Sequence, residues 1–246
     1  MQIIILAAGK GSRMSSELPK VMHEVGGVPM LERVVRNCYQ VTKDIVLVYS
    51  KHIESYLHLF SDRCQFVNQE EQLGTAHAVY VAKALFKKEH DIGIIYADNP
   101  LITENIINGL FEHLHKTNSK VVTLAFDCYE PNHYGRIIID QDGNFKKIVE
   151  SKYATEDELK INLCNSGIMA FAPGILEKYI DQCIEPDQVH KEQELYLTKI
   201  IEICSRYGEK VSYYKSKDHQ LVMGVNNQKE LIVANLIADN VNSREG

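Results

Sequence analysis

At 246 residues, 45% of them hydrophobic and 24% charged, the chain has the composition of a globular protein long enough to bury a sizeable core as a single domain. A formal net charge of −6 excludes broad nucleic-acid binding, which needs a basic surface. No apolar run approaches the ~20 residues of a membrane span and Met1-Gln2-Ile3 lacks the basic lead of a signal peptide, so a cytoplasmic location without a membrane partner is expected.

The predicted elements begin with a short buried strand at Ile3 to Leu6, followed by apolar residues at helical spacing: Met30, Leu31, Val34, Val35 and Cys38. Strands at Ile45 to Tyr49 and Ile92 to Tyr96 alternate with helices at Ala76 to Phe86 and Ile106 to Leu114. Apolar strands alternating with amphipathic helices predict a doubly wound, Rossmann-like, mostly parallel sheet covered on both faces. Beyond Val121 the pattern becomes strand-rich: Val121 to Phe126, Arg136 to Asp140, Phe145 to Val149 after an Asp142-Gly143 hairpin turn, and Ser166 to Phe171. This portion should carry antiparallel strands, making the sheet mixed. Two helical stripes follow, Leu176, Tyr179, Ile180 and Cys183, then Leu195, Ile200, Ile201 and Cys204, with a stop at Gly208. A strand at Val211 to Tyr214 and a helix from Gln228 to about Val241 complete the chain, with a frayed tail over 242–246. In that helix Leu231, Ala234, Leu236 and Ile237 form a core-facing stripe. No repeat or linker interrupts the sequence, so residues 1–246 read as one domain. The six cysteines lack C-x-x-C or paired-histidine spacing and read as reduced thiols filling core space. His113 and His115 read as part of a solvated helix face.

The first strand empties into Leu6 to Met14, LAAGKGSRM, with Pro19-Lys20 close behind. Gly9 and Gly11 allow the backbone to turn tightly and aim N–H groups at an anion, and Arg13 and Lys20 add positive charge. A nucleotide or phosphorylated substrate is implied. The Walker spacing is absent, and a dinucleotide fingerprint fails twice: Met14 replaces the third glycine, and the strand ending at Tyr49 runs into Ser50-Lys51 instead of an acidic residue.

LAAGKGSRM followed by Leu18-Pro19-Lys20 resembles the signature of the sugar-nucleotide pyrophosphorylases, and within them the uridylyltransferase domain of bacterial N-acetylglucosamine-1-phosphate uridylyltransferases. The resemblance continues in order: Gln69 with EQLGTAHA from Glu71, YADNPLI from Tyr96, YGRII from Tyr134, IVESK from Ile148, NSGIMAF from Asn165, YLT from Tyr196 and GVNN from Gly224. It implies a nucleotide-diphospho-sugar transferase fold with an antiparallel acceptor-binding portion, and transfer from UTP to a sugar 1-phosphate. The bifunctional members carry a further C-terminal β-helix of hexapeptide repeats, and acetyl transfer by this chain is not expected.

The chemistry brings one anion onto another. A sugar phosphate oxygen is already nucleophilic and needs no general base, so catalysis reduces to positioning and charge neutralisation. The resemblance assigns Arg13 and Lys20 as the catalytic cations, and Asp98 and Asn226 as ligands of Mg²⁺, an ion that prefers one or two protein oxygens. Asp98 also stands beyond the carboxyl end of its strand, where open α/β sheets bind ligands; the competing readings are a helix cap for Asp98 and a turn for Asn226. Lys10 reads as a solvated loop charge. For the nucleotide the resemblance implies Leu6, Ala7, Ala8, Gly9, Gln69, Gly74, Thr75 and Tyr96. A glutamine amide can rotate to match several bases, so UTP follows from the family and not from the residue. Thr75 also reads as a helix cap.

Gly135, Glu150, Asn165 and Thr198 are the implied sugar-binding residues, with strand-end turns as the competing reading for Glu150 and Asn165. Departures from the family pattern cluster on this side, at Tyr153, Gln193 and Lys199, while Ala97 and Asn99 flank Asp98. They leave open another hexose or an alcohol phosphate as acceptor, and a nucleotidyltransferase using another nucleotide would equally keep Arg13, Lys20 and Asp98. A non-catalytic sugar-nucleotide sensor is the alternative from another class, opposed by the joint retention of Arg13, Lys20, Asp98 and Asn226.

Overall fold

The computed structural model describes residues 1–129, 133–184 and 194–245. In chain order its elements are β1 (Gln2–Leu6), β2 (Glu24–Val25), β3 (Val28–Pro29), α1 (Met30–Val41), β4 (Ile45–Tyr49), β5 (Gln65–Asn68), α2 (Thr75–Val81), β6 (Ile92–Tyr96), α3 (Glu104–Lys116), β7 (Val121–Asp127), β8 (Gly135–Ile139), β9 (Phe145–Val149), α4 (Glu156–Leu159), β10 (Leu163–Phe171), α5 (Ile175–Ile184), α6 (Lys199–Arg206), β11 (Val211–Lys215) and α7 (Gln228–Glu245).

One sheet runs β11-β7-β10-β6-β1-β4-β5. β1 lies parallel to β4 and β6, β5 to β4, and β11 to β7. β10 runs against both β6 and β7 and also carries the antiparallel β8–β9 pair. The alternation of side chains along β1 divides the core. Ile3 and Ile5 pack with Leu31, Val34 and Val35 of α1 and with Leu110, Phe111 and Leu114 of α3. Ile4 and Leu6 pack on the other face with Val79 of α2, Tyr179 and Ile180 of α5, and Ile200 and Ile201 of α6. Two covered faces account for continuous apolar strands such as Ile3-Ile4-Ile5, since neither side of the pleat meets water. The doubly wound mixed sheet is therefore as its sequence pattern indicates.

Several local expectations are corrected. Leu195 does not extend a helical stripe; it lies before α6 and bonds as an extended segment, its N donating to Leu73 O (2.9 Å) and its O accepting from Ala76 N (2.8 Å). Thr75 is not a cap, because its Oγ1 is committed to Leu197 N (2.9 Å) and Gly74 holds the cap position of α2. The helix expected over Ala76 to Phe86 stops at Val81 and tightens into a 3₁₀ turn at Lys83–Leu85. Leu231, Ala234 and Ile237 pack inward together with Ala238, but Leu236 faces out at 60% exposure. Helix α7 continues through Glu245 where fraying was expected. Gly208 ends α6 in a left-handed conformation (φ 75°), with Glu209 N reaching back to Cys204 O (3.0 Å), and the Asp142-Gly143 hairpin joins β8 to β9. The six cysteines are free, and His115 pairs with Asp91 (2.8 Å). Among the described residues no helix is long and apolar enough to cross a membrane. Gln193 and Gly246 lie outside the described residues.

Candidate active site

β1, β4, β5 and β6 all point their carboxyl ends at one edge of the sheet, so the segments that leave them share that edge. A cavity of about 560 Å³ opens there, lined by the Leu6–Arg13 loop, Lys20, Gln69, Gly74, Thr75, Tyr96, Asp98 and Asn226. Every nucleotide, catalytic and metal residue expected from the sequence thus lies on one concave surface.

The loop keeps its shape through Gly11, not through both glycines. Gly11 is left-handed (φ 64°), and a Cβ there would fall 2.4 Å from the Cβ of Lys20. Its backbone therefore rests on the Lys20 stem and aims that side chain. Gly9 has no such constraint, and a Cβ built on it meets no protein atom within 4 Å. Pro19 sets the entry to a 3₁₀ turn at Lys20–Met22, whose Val21 and Met22 are buried.

Three segments far apart in sequence meet at Lys20. Its Nζ donates to Asp98 Oδ2 and to Asn226 Oδ1 (3.1 Å), and Arg13 Nη2 donates to the same Asn226 oxygen (3.2 Å). The side chains of Lys20 and Asp98 are only 11% and 20% exposed, so their charges are weakly screened. Asp98 is not a helix cap, because α3 begins later and Thr103 Oγ1 caps it by accepting from Ile106 N (3.3 Å). In the Asn226-Asn227 pair the work is divided: Asn227 Oδ1 accepts from Glu230 N at the start of α7 (3.0 Å), which leaves the Asn226 carboxamide to the cluster. Asp98 and Asn226 thus present two oxygens to one cation, now the lysine ammonium. Two protein oxygens on a common point fit a magnesium ion completed by phosphate and water.

On the other side of the cavity, Gln69 is buried, and its Nε2 donates to Gly74 O (3.2 Å). Gly74 (φ 129°) is pressed against the extended segment at Leu195, where a Cβ would stand 2.5 Å from both N and O. That contact joins the nucleotide-side loop to the segment leading into Thr198. Burial pushes the Tyr96 phenol up, and its hydroxyl hydrogen-bonds Thr75.

The expected sugar residues lie together but outside this cavity lining. β10 begins where β7 ends, so Asn165 reaches the same edge, paired with Ala125 of β7 and with Gly135 at the start of β8. The register shifts between Asn165 and Met169, and Gly167 (φ 88°) lets the Tyr96 ring lie against it, with a Cβ falling 3.0 Å from the ring. Asn165 Oδ1 accepts from Thr123 Oγ1 (2.5 Å) and Gly167 N (3.1 Å), which fixes the amide orientation. Thr198 Oγ1 donates to Glu150 Oε1 (2.7 Å). Burial raises the Glu150 carboxyl above its ordinary range, partly offset by Thr198 and reinforced by the charge of Glu194.

Glu194 and Gln72 also line the cavity and were not singled out from the sequence. Glu194 stands two residues before Tyr196 in the YLT stretch and hydrogen-bonds that tyrosine. No periodic or motif signal marked it.

A mostly parallel sheet that gathers a glycine-rich basic loop, a carboxylate and a carboxamide at the carboxyl ends of its parallel strands is the apparatus of a nucleotidyltransferase. The chain belongs to the MobA-like NTP transferase domain family, which matches residues 3–142. It is 38% identical over 239 residues to the bifunctional protein GlmU of Desulfotalea psychrophila, covering 95% of this chain and 69% of that protein. Against the GlmU proteins of Clostridium botulinum (strain 657) and Enterococcus faecalis the identities are 38% and 37%, again over 95% of this chain, and the chain spans 51% of their lengths. In three dimensions it is similar to a Bacillus anthracis protein assigned as a glucose-1-phosphate thymidylyltransferase and solved with sucrose, at a TM-score of 0.75 and 19% identity over 97% of this chain and 95% of that one. The protein is a sugar-phosphate nucleotidyltransferase that corresponds to the N-terminal part of the GlmU relatives.

Proposed function

We propose that the chain transfers a uridylyl group from UTP to N-acetylglucosamine 1-phosphate, releasing pyrophosphate and forming UDP-N-acetylglucosamine. The observation that carries this reading is the convergence of Arg13, Lys20, Asp98 and Asn226 beside the glycine loop. The sugar phosphate oxygen attacks the α-phosphate, a P–O bond to the β-phosphate breaks, and the pyrophosphate leaves with the bond's electron pair. Magnesium held by Asp98 and Asn226 would neutralise charge on the triphosphate. Lys20 serves the α-phosphate and the incoming phosphate, and Arg13 follows the charge that develops on the departing pyrophosphate. Hydrogen bonds to Asn226 fix both cations, Lys20 in a poorly screened position and Arg13 in an exposed one, so little reorganisation accompanies the reaction.

The backbone of Leu6, Ala7, Ala8 and Gly9 receives the nucleotide, with Gln69, Gly74, Thr75 and Tyr96 around the base and ribose. Gly135, Glu150, Asn165 and Thr198 receive the sugar: Glu150 accepts from hydroxyls, and Asn165, whose oxygen is already engaged, presents its NH₂ donors. The whole chain acts as one catalytic domain in the cytoplasm. The test is pyrophosphate release with Mg²⁺ and UTP against N-acetylglucosamine 1-phosphate, glucosamine 1-phosphate and glucose 1-phosphate. Selective turnover of the acetylated sugar is expected; turnover only with another acceptor, or tight UTP binding without turnover, overturns the assignment.

A further inference from the structure

We propose that His77, a residue of α2 that is absent from the cavity lining, is a positioning residue that locks the Gln69 amide so that only its oxygen can read the nucleotide base. A free glutamine amide reads either a donor or an acceptor by turning over. In this fold the choice is made by two neighbours. The Gly74 carbonyl can only accept, so the Gln69 atom 3.2 Å from it must be the amide nitrogen. The same Nε2 lies 3.2 Å from His77 Nδ1. Both amide protons are then spent, one on Gly74 O and one on His77 Nδ1, which must be the unprotonated nitrogen of the imidazole. The histidine is held in turn by stacking on Tyr80, with ring centroids 6.4 Å apart and planes 25° from parallel.

What remains of the side chain is Oε1, on a 3%-exposed residue that lines the cavity. An oxygen fixed there accepts the imide N–H of a uracil- or thymine-type base. It meets the unprotonated ring nitrogen of cytosine as acceptor against acceptor. The glutamine alone cannot choose between UTP and CTP; Gln69, Gly74 and His77 together can. This inference rests on the reading above that Gln69 faces the base.

The test is the ratio of the dissociation constants of UTP and CTP, measured by calorimetry with the intact protein. His77→Phe keeps a ring against Tyr80 and removes the acceptor; the preference for UTP should fall by roughly tenfold, the scale of one hydrogen bond. His77→Asn places Oδ1 where Nδ1 was, on the same Cγ, and should retain the preference. An effect on packing alone would weaken both nucleotides together and leave the ratio unchanged, and that result in His77→Phe overturns the lock. Gln69→Ala separates the two readings: if it leaves the ratio unchanged, Gln69 does not read the base and the lock falls with it, whereas a ratio that collapses in Gln69→Ala but survives in His77→Phe overturns the lock alone.

Discussion

The cavity at the carboxyl ends of the parallel strands and the antiparallel portion around Glu150 hold their polar groups in different ways. In the cavity, full charges are set against each other across long sequence separations: Lys20 against Asp98, with Asn226 shared between Lys20 and Arg13. Around Glu150 the bonds are largely to neutral groups, Thr198 to Glu150 and Thr123 to Asn165. A site that manages phosphate charge needs fixed cations whose positions are already determined. A site that recognises a neutral sugar ring needs donors and acceptors in a stated orientation, and burial supplies that.

If this division is sound, Lys20→Ala has the largest effect. Turnover should fall by roughly 10²–10³-fold or more, with circular dichroism and melting temperature near those of the parent. Near-normal pyrophosphate release would mean that the charged cluster is not the seat of the reaction.

Gly74→Ala attacks the join between the two regions. The left-handed φ and the 2.5 Å approach to the Leu195 backbone predict a loss of about 3 kcal/mol or more in urea unfolding. A smaller loss would show that the Leu195 segment can move away. Gly9→Ala is the matched contrast, since its Cβ meets no protein atom. Stability should change by less than about 0.5 kcal/mol, while UTP binding weakens by roughly tenfold because the added methyl crowds the ligand. An unchanged dissociation constant would show that nothing approaches the loop there.

Glu150→Gln has the smallest and most pH-dependent consequence. Burial raises the folded carboxyl, so the protonated form is favoured by folding, and the penalty is absent at acidic pH, below the unfolded value. Stability is lost as pH rises through the folded value. The variant should therefore melt slightly above the parent at neutral pH, and the two should coincide in acid. Its KM for the sugar phosphate should rise several-fold with the KM for UTP little changed, since a neutral amide accepts less strongly than a carboxylate. A rise in both KM values would erase the division between the regions.

What was legible in the chain was whatever repeats locally. The two-faced burial of β1, β4 and β6 is visible as continuous apolar runs, and the left-handed stop at Gly208 and the Asp142-Gly143 turn are carried by residues that suit those backbone angles. Four-residue β5, with no buried side chain, had no periodic signal, nor did the two-residue strands β2 and β3. The candidate site residues were singled out through a family resemblance that runs in order along the chain.

Tertiary structure alone decided their relations. Which asparagine of the 226–227 pair caps α7 depends on Glu230 reaching back to it. Gly11 and not Gly9 is the constrained glycine because Lys20 packs against it, and Leu195 is extended because Leu73 and Ala76 bond to it. The amide of Gln69 acquires a direction only from the Gly74 carbonyl and the His77 ring. Propensity and hydrophobic period act over a few neighbouring residues and so can be read along a chain. Hydrogen-bond direction and charge pairing are set by partners that reach across as many as 214 positions, and only the folded chain brings those partners together.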